Sequence, residues 1–357
     1  MIFNPTYING LGNISPQETS DNSRFLEEIV SVTSSQLKCQ EPNYKDYVSG
    51  DTVRRMSRII KLGISSAKIC LKDAECSMPD AIITGTGLGC MEDTEKFLAT
   101  MIRNKEELLT PTSFIQSTHN TVSGQIALLL KCHNHNFTYC HRGFSFESSL
   151  LDALLQIQLE PSKQILVGGL DELTANSYLL TYRLGHWKRK PINTLDLINN
   201  RLPGSIAGEG SAFFLLSGEK SEKSYARLHG IRTILNPTGT RELHEKASDL
   251  LANHGLQLAD LDLVLLGLNG DPKFDRPYQE FLKNFPVPVN TGYFKHLCGE
   301  YHTASAFACW LSAMILKFQK VPEVIKHRTM HDKPLKNILV YNHYRNLNHT
   351  FMLFSRP

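Results

Sequence analysis

Residues 137–169 read FTYCHRGFSFESSLLDALLQIQLEPSKQILVGG. A short apolar run, too brief for a stable helix, passes through a turn containing Gly143 into a longer segment of helical apolar period, and a second short run closes the unit. The same order returns later in the chain. VPVN at 287–290 leads through a glycine turn in KHLCGEYH at 295–302 to the apolar TASAFACWLSAMILKF at 303–318, then to NILVY at 337–341. Each repeat predicts a helix N-terminus near the end of a strand. Such ends present free N–H groups and a positive dipole, which can lower a thiol pKa or stabilise an oxyanion.

Working outward, the same alternation of short apolar runs and longer helical segments predicts a layered α/β fold. Strands are expected at 81–84, 137–140, 164–167, 212–216, 261–266, 337–341 and 350–354. Helices are expected at 94–103, 123–131, 147–159, 241–253, 278–284 and 303–318. The charged, small-residue stretch SGEKSEKS at 217–224 lacks apolar period and marks a boundary between halves 1–216 and 217–357.

With 357 residues, 41% of them hydrophobic, the chain can bury a sizeable core. The formal charge is +3, from 38 basic and 35 acidic residues, which argues against a nucleic-acid partner. Nothing in the sequence reads as an export signal or a membrane span, so a soluble, cytoplasmic protein is expected. The eight cysteines are scattered, and they read as reduced thiols rather than a disulfide framework. The tract CHNHNFTYCH at 132–141 concentrates potential metal ligands, but it reads as a turn entering a buried strand, and neither metal nor cofactor is expected.

Several long motifs in order resemble the β-ketoacyl synthase family of thiolase-like condensing enzymes. YINGLGNISP at 7–16 is similar to its opening strand and RRMSRIIKLGISSAK at 54–68 to its first basic helix. AIITGTGLG at 81–89, PTSFIQSTHNTVSGQIAL at 111–128, ILVGGLDE at 165–172, IAGEGSAFFLL at 206–216 and YARLHGI at 225–231 continue in family order. The resemblance implies two pseudo-repeated halves in an α-β-α-β-α layering.

It also implies where catalytic groups should stand, and these places depart from the pattern. Counting back from VGGLDE puts the nucleophilic cysteine's place at Gly143. The first catalytic histidine's place is Gly267, opening GLNGDPKFD, and the second is Glu300, five residues after a retained Lys295. Glycine can neither form a thioester nor donate a side-chain hydrogen bond to an enolate, and an ionised Glu300 would repel one. The family's glycine-rich gating loop corresponds to NHYRNLN at 342–348, with Tyr344 in the aromatic's place; Phe144 and Phe146 are expected beside it as tunnel or gate residues.

The resemblance extends to chain-length factors, nucleophile-free homologues that pair with an active ketosynthase as a heterodimer. Wording such as HRGFSFESSLLDAL is similar to homologues from aryl polyene and flexirubin-type pigment pathways. The expected role is therefore a non-catalytic subunit shaping a partner's acyl tunnel. Two rivals are an acyltransferase using Ser145 or Cys140, and an acyl-carrier-protein-binding module using Arg54, Arg55 and Arg58.

Overall fold

The computed structural model describes residues 4–54, 56–328 and 334–357. Among the described residues the strands are β1 Thr6–Ile14, β2 Thr33–Ser34, β3 Ala81–Gly85, β4 His135–Tyr139, β5 Ile165–Asp171, β6 Ile192–Asn193, β7 Gly210–Ser217, β8 Ala226–Leu235, β9 Leu263–Leu266, β10 Thr291–Tyr293, β11 Asn337–Tyr344 and β12 Asn348–Ser355. The helices are α1 Gly50–Val53, α2 Arg58–Asp73, α3 Met91–Arg103, α4 Pro111–Gln116, α5 Thr121–Leu130, α6 Ser145–Leu159, α7 Ala175–Arg183, α8 Thr240–Ala252, α9 Pro272–Lys283, α10 Lys295–Cys298 and α11 Ser305–Phe318.

Ten strands join in the order β10-β9-β11-β12-β8-β1-β7-β5-β3-β4. The middle pair, β1 with β8, divides this sheet into two like halves. In one, β3 runs parallel to β4 and β5, and β7 runs antiparallel to β5 and β1. In the other, β9 runs parallel to β10 and β11, and β12 runs antiparallel to β11 and β8. The β1–β8 seam itself holds only Thr6–Ile8 against Ala226–Leu228. A short seam lets the twisted half-sheets diverge and enclose a layer between them.

That layer is α6 and α11, whose apolar residues share one core with Ile83, Ile165, Phe214, Leu265 and Val340 from both halves. Outside the first half-sheet, α2 and α5 pack Ile60, Ile64, Val122 and Ile126 on Ile82, Leu166 and Phe213. Outside the second, α8 and α9 bring Leu243, Leu251, Tyr278 and Phe281 to Val264, Leu339 and Phe351. Helices therefore cover both outer faces and fill the interior, which is the α-β-α-β-α layering expected of a thiolase-like fold. Strands so covered are buried on both faces, as the unbroken apolar runs in β5 and β9 require.

Helix α9 begins at Pro272, earlier than its apolar period suggested, because Asp271 caps it by accepting from the Lys273 N–H at 3.0 Å and proline sits well at the first helical position. Strands β8 and β10 and helix α7 were not among the periodicity assignments. The polar residues interspersed in β8, with its exposed C-terminal end, and the brevity of β10 leave each without a clear apolar run. Among the described residues, no helix is long and apolar enough to cross a membrane.

Candidate functional site

Both helix starts point into the same region between the halves. At the first, β4 hands over to α6 through Arg142, whose φ of 50° lies in the left-handed region and turns the chain sharply. Gly143 follows and is buried. A Cβ placed there would lie 2.7 Å from Tyr344 Cβ and 3.1 Å from Asn348 Cβ, so the space a cysteine side chain needs is occupied by the β11–β12 hairpin. That hairpin replaces the expected gating loop. The ladder continues to the pair Tyr344–Asn348, and two successive left-handed residues, Arg345 and Asn346, reverse the chain. Tyr344 is held by ring contact with His302, 4.4 Å between centroids, and burial pushes its hydroxyl pKa up.

The second half fills its places differently. A Cβ on Gly267 would meet Asn342 Oδ1 at 2.2 Å and the Tyr278 hydroxyl at 2.6 Å, which leaves no room for an imidazole. Glu300 is buried, and its carboxylate accepts from Lys295 Nζ at 2.9 and 2.8 Å and from Asn269 Nδ2 at 2.8 Å. Lys295 also donates to the His343 carbonyl at 3.2 Å. This corrects the expectation that Glu300 presents a bare repelling charge: the retained lysine neutralises it. Asp275 accepts from the N–H groups of Asn269 and Gly270 at 2.8 and 3.0 Å and so fixes the loop that carries Asn269. The cavity left beside Asn269, Glu300, Phe274, Tyr344 and Arg345 is about 10 Å³, roughly the room one water needs.

Neither proposed substitute nucleophile is set up for attack. Ser145 Oγ donates to the Arg142 carbonyl and accepts from the His141 N–H, both at 2.8 Å, and the residue is fully buried. It ties the turn together instead. Cys140 is exposed and its thiol donates to the Gly87 carbonyl at 3.5 Å; burial of the sulfur and the nearby Asp171 push its pKa up, away from thiolate. His302 lies against Gly87 and Tyr344, and burial holds its pKa below the usual value although Asp171 and Glu300 pull the other way.

Other sequence expectations need revision. Phe146 is a core residue packed 5.6 Å from Phe214 between sheet and helix, and Phe144 is buried against His141 with centroids 5.8 Å apart. Arg54 is exposed, and Arg55 lies outside the described residues. Arg58 is not a free surface cation: its guanidinium clamps the buried carboxylate of Glu209 at 2.7 and 2.6 Å. Burial would raise the Glu209 pKa, but Arg58's hydrogen bonds and charge outweigh that and hold it below the usual range. Among the described residues no cluster of three or more His, Cys, Asp or Glu could hold a metal.

Sequence reasoning missed an open edge. Strand β4 ends the sheet and is exposed along most of its length, with Phe137 at 47%. Leu128 of α5 and Leu151 and Leu155 of α6, the two helices packed against β4, are exposed as well, and Phe114 and Ile115 of α4 add to the apolar surface. The tract 132–141 was expected to enter a buried strand; β4 is instead exposed over His135–Phe137, because it is the last strand of the sheet and no further strand covers it among the described residues.

The chain has a thiolase-like fold, the fold of solved ketosynthase structures. Solved structures that share it include the ishigamide ketosynthase/chain length factor, with a TM-score of 0.82 and 14% identity over 99% of this chain and 100% of that one. A β-ketoacyl synthase from Burkholderia phymatum STM815 aligns with a TM-score of 0.81, 14% identity and the same coverage. AntDE:AntF, a type II PKS acyl-carrier protein in complex with its ketosynthase bound to the hexaketide, aligns at 0.74 with 14% identity, also over 99% and 100% of the two chains. No family model and no curated protein sequence matches. At this identity the likeness defines the fold.

Proposed function

We propose that this chain is a non-catalytic ketosynthase-like subunit that pairs with a competent β-ketoacyl synthase, in the manner of a chain-length factor, and acts in acyl-carrier-protein-dependent polyketide or polyene assembly in the cytoplasm. The observation that carries the reading is the packing over Gly143, where Tyr344 and Asn348 occupy the space of the missing thiol. The neutralised Glu300 and the filled space at Gly267 support it, because an enolate would find no donor at either position.

The open β4 edge supports the pairing. An unpaired strand edge offers N–H and C=O groups that another strand can satisfy, and the flanking leucines suit apolar cover. The partner is a second thiolase-like chain, and side chains presented at this face close the end of its acyl tunnel, so added bulk there shortens the product. The resemblance of motifs such as HRGFSFESSLLDAL supports an aryl polyene or flexirubin-type pathway for the pair.

The test is co-expression with a cysteine-bearing ketosynthase of the same pathway, followed by mass analysis of what copurifies and of the carrier-bound products. In parallel, intact-mass analysis after incubation with acyl-carrier protein should find no acyl adduct on the isolated chain or on a Gly143→Cys variant. That variant should also lose about 1–3 kcal/mol of stability, since Tyr344 has to move. An acyl adduct on the wild-type chain would overturn the non-catalytic reading.

A further inference from the structure

The loop 267–275 that sends Asn269 to Glu300 also walls a separate cavity with Leu268, Gly270 and Pro272. This cavity is about 470 Å³, within the range of small-molecule sites, and carries Arg201, His327 and Arg328. Arg328 also borders a second hollow of about 360 Å³ walled by Leu282, Phe285, Val287 and Val289. Arg328 thus lines both a hollow that carries arginines and a mainly apolar one.

The supporting chain is well anchored on this side. The His327 N–H bonds the Thr291 carbonyl of β10 at 2.9 Å, and its ring meets Tyr293 edge-on at 5.8 Å. Asp275 lines the cationic chamber, but its carboxylate is engaged by the Asn269 and Gly270 N–H groups. Among the described residues neither Arg201 nor Arg328 makes an ion pair, so the chamber is left with positive charge to be matched by a ligand.

We infer that these two hollows, which share Arg328 in their walls, together bind a small amphipathic anion, with a carboxylate or phosphate head between Arg201 and Arg328 and an apolar body against Phe285, Val287 and Val289. A guanidinium pair recognises the planar or tetrahedral oxyanion through parallel N–H donors, and the apolar wall supplies the area that a free anion could not use. The site is independent of the pairing proposed above. It needs neither a partner nor a carrier protein.

Titration calorimetry of the isolated chain tests it with three probes: octanoate, octanamide and inorganic phosphate. Octanoate should bind saturably at one site, with octanamide and phosphate each at least tenfold weaker. Arg201→Ala/Arg328→Ala should weaken octanoate at least tenfold, as should Val287→Asp, and all of these residues are exposed enough for the variants to fold, checked by their melting temperatures. Equal binding of octanoate and octanamide, unchanged binding in the double arginine variant, or no saturable octanoate binding would each overturn the inference.

Discussion

The two halves repeat one strand order and one central helix, yet they finish their edges in opposite ways. In the second half, β10 is covered: Lys326 bridges Gly292, His327 bonds Thr291, and α11 is buried from Ser305 through Leu316. In the first, β4 is bare and α6 exposes Leu151, Leu155 and Leu159. The second half instead places its unusual chemistry inside, as the buried Lys295–Glu300 pair. A repeated architecture has thus diverged at its edges: the first half presents an outward apolar strand and helix face, and the second covers its edge and buries an ion pair inside.

The largest expected effect concerns the inward half. Glu300→Gln leaves the Lys295 ammonium buried without a counter-charge and should cost about 3–5 kcal/mol in urea unfolding. Replacing both, as Lys295→Met/Glu300→Leu, should recover most of that loss. If Glu300→Gln costs under about 1 kcal/mol, the pair does not organise this half.

On the outward half, Phe137→Asp with Leu155→Asp should weaken association with the proposed ketosynthase partner by at least about 100-fold, read by sedimentation, since desolvated apolar anchors dominate interfaces. The free chain should melt as the wild type does, because both side chains are already exposed. Unchanged association would remove the bare edge as the pairing surface.

A smaller effect tests where the halves meet. Glu147, in the first turn of α6, is fully buried, and its pKa is raised to about 7 by burial, against the pull of Ser305 on α11, Thr350 on β12 and the charge of Lys295. A carboxyl with a raised folded pKa holds a proton that the unfolded chain has already released. Stability therefore falls as pH rises from the usual carboxylate value of 4.5 through about 7. Glu172, raised to about 7, and Asp275, raised to about 6, share that sign. Between about pH 5 and about pH 8 the Glu147→Gln variant should lose less stability than the wild type, by on the order of 2 kcal/mol. Matching pH slopes for the two proteins would place the titration elsewhere.

Much of the fold was legible because it depends on short-range pattern. Apolar runs located β3, β5, β7, β9, β11 and β12, and helical period located α3, α5, α6, α8 and α11. Residue identity also showed that Gly143 and Gly267 carry no reactive side chain. Pattern could not show that Arg58 is taken by Glu209, 151 residues away, because such a partner is brought near only by folding. It misread Phe146 for the same reason: an aromatic beside a glycine turn looks alike whether it faces a cleft or a core.

From its letters alone this protein was legible as a layered α/β molecule with a repeated strand–turn–helix order, and the family resemblance assigned catalytic places where the sequence has no thiol or imidazole. Only the packed structure decided what stands there instead, since Tyr344 over Gly143, Asn342 over Gly267 and Lys295 against Glu300 are contacts between segments remote in sequence or turned toward each other by the fold. Local propensity depends on neighbours along the chain, whereas occupancy of a space depends on every segment that reaches it, and that is a property of the tertiary structure.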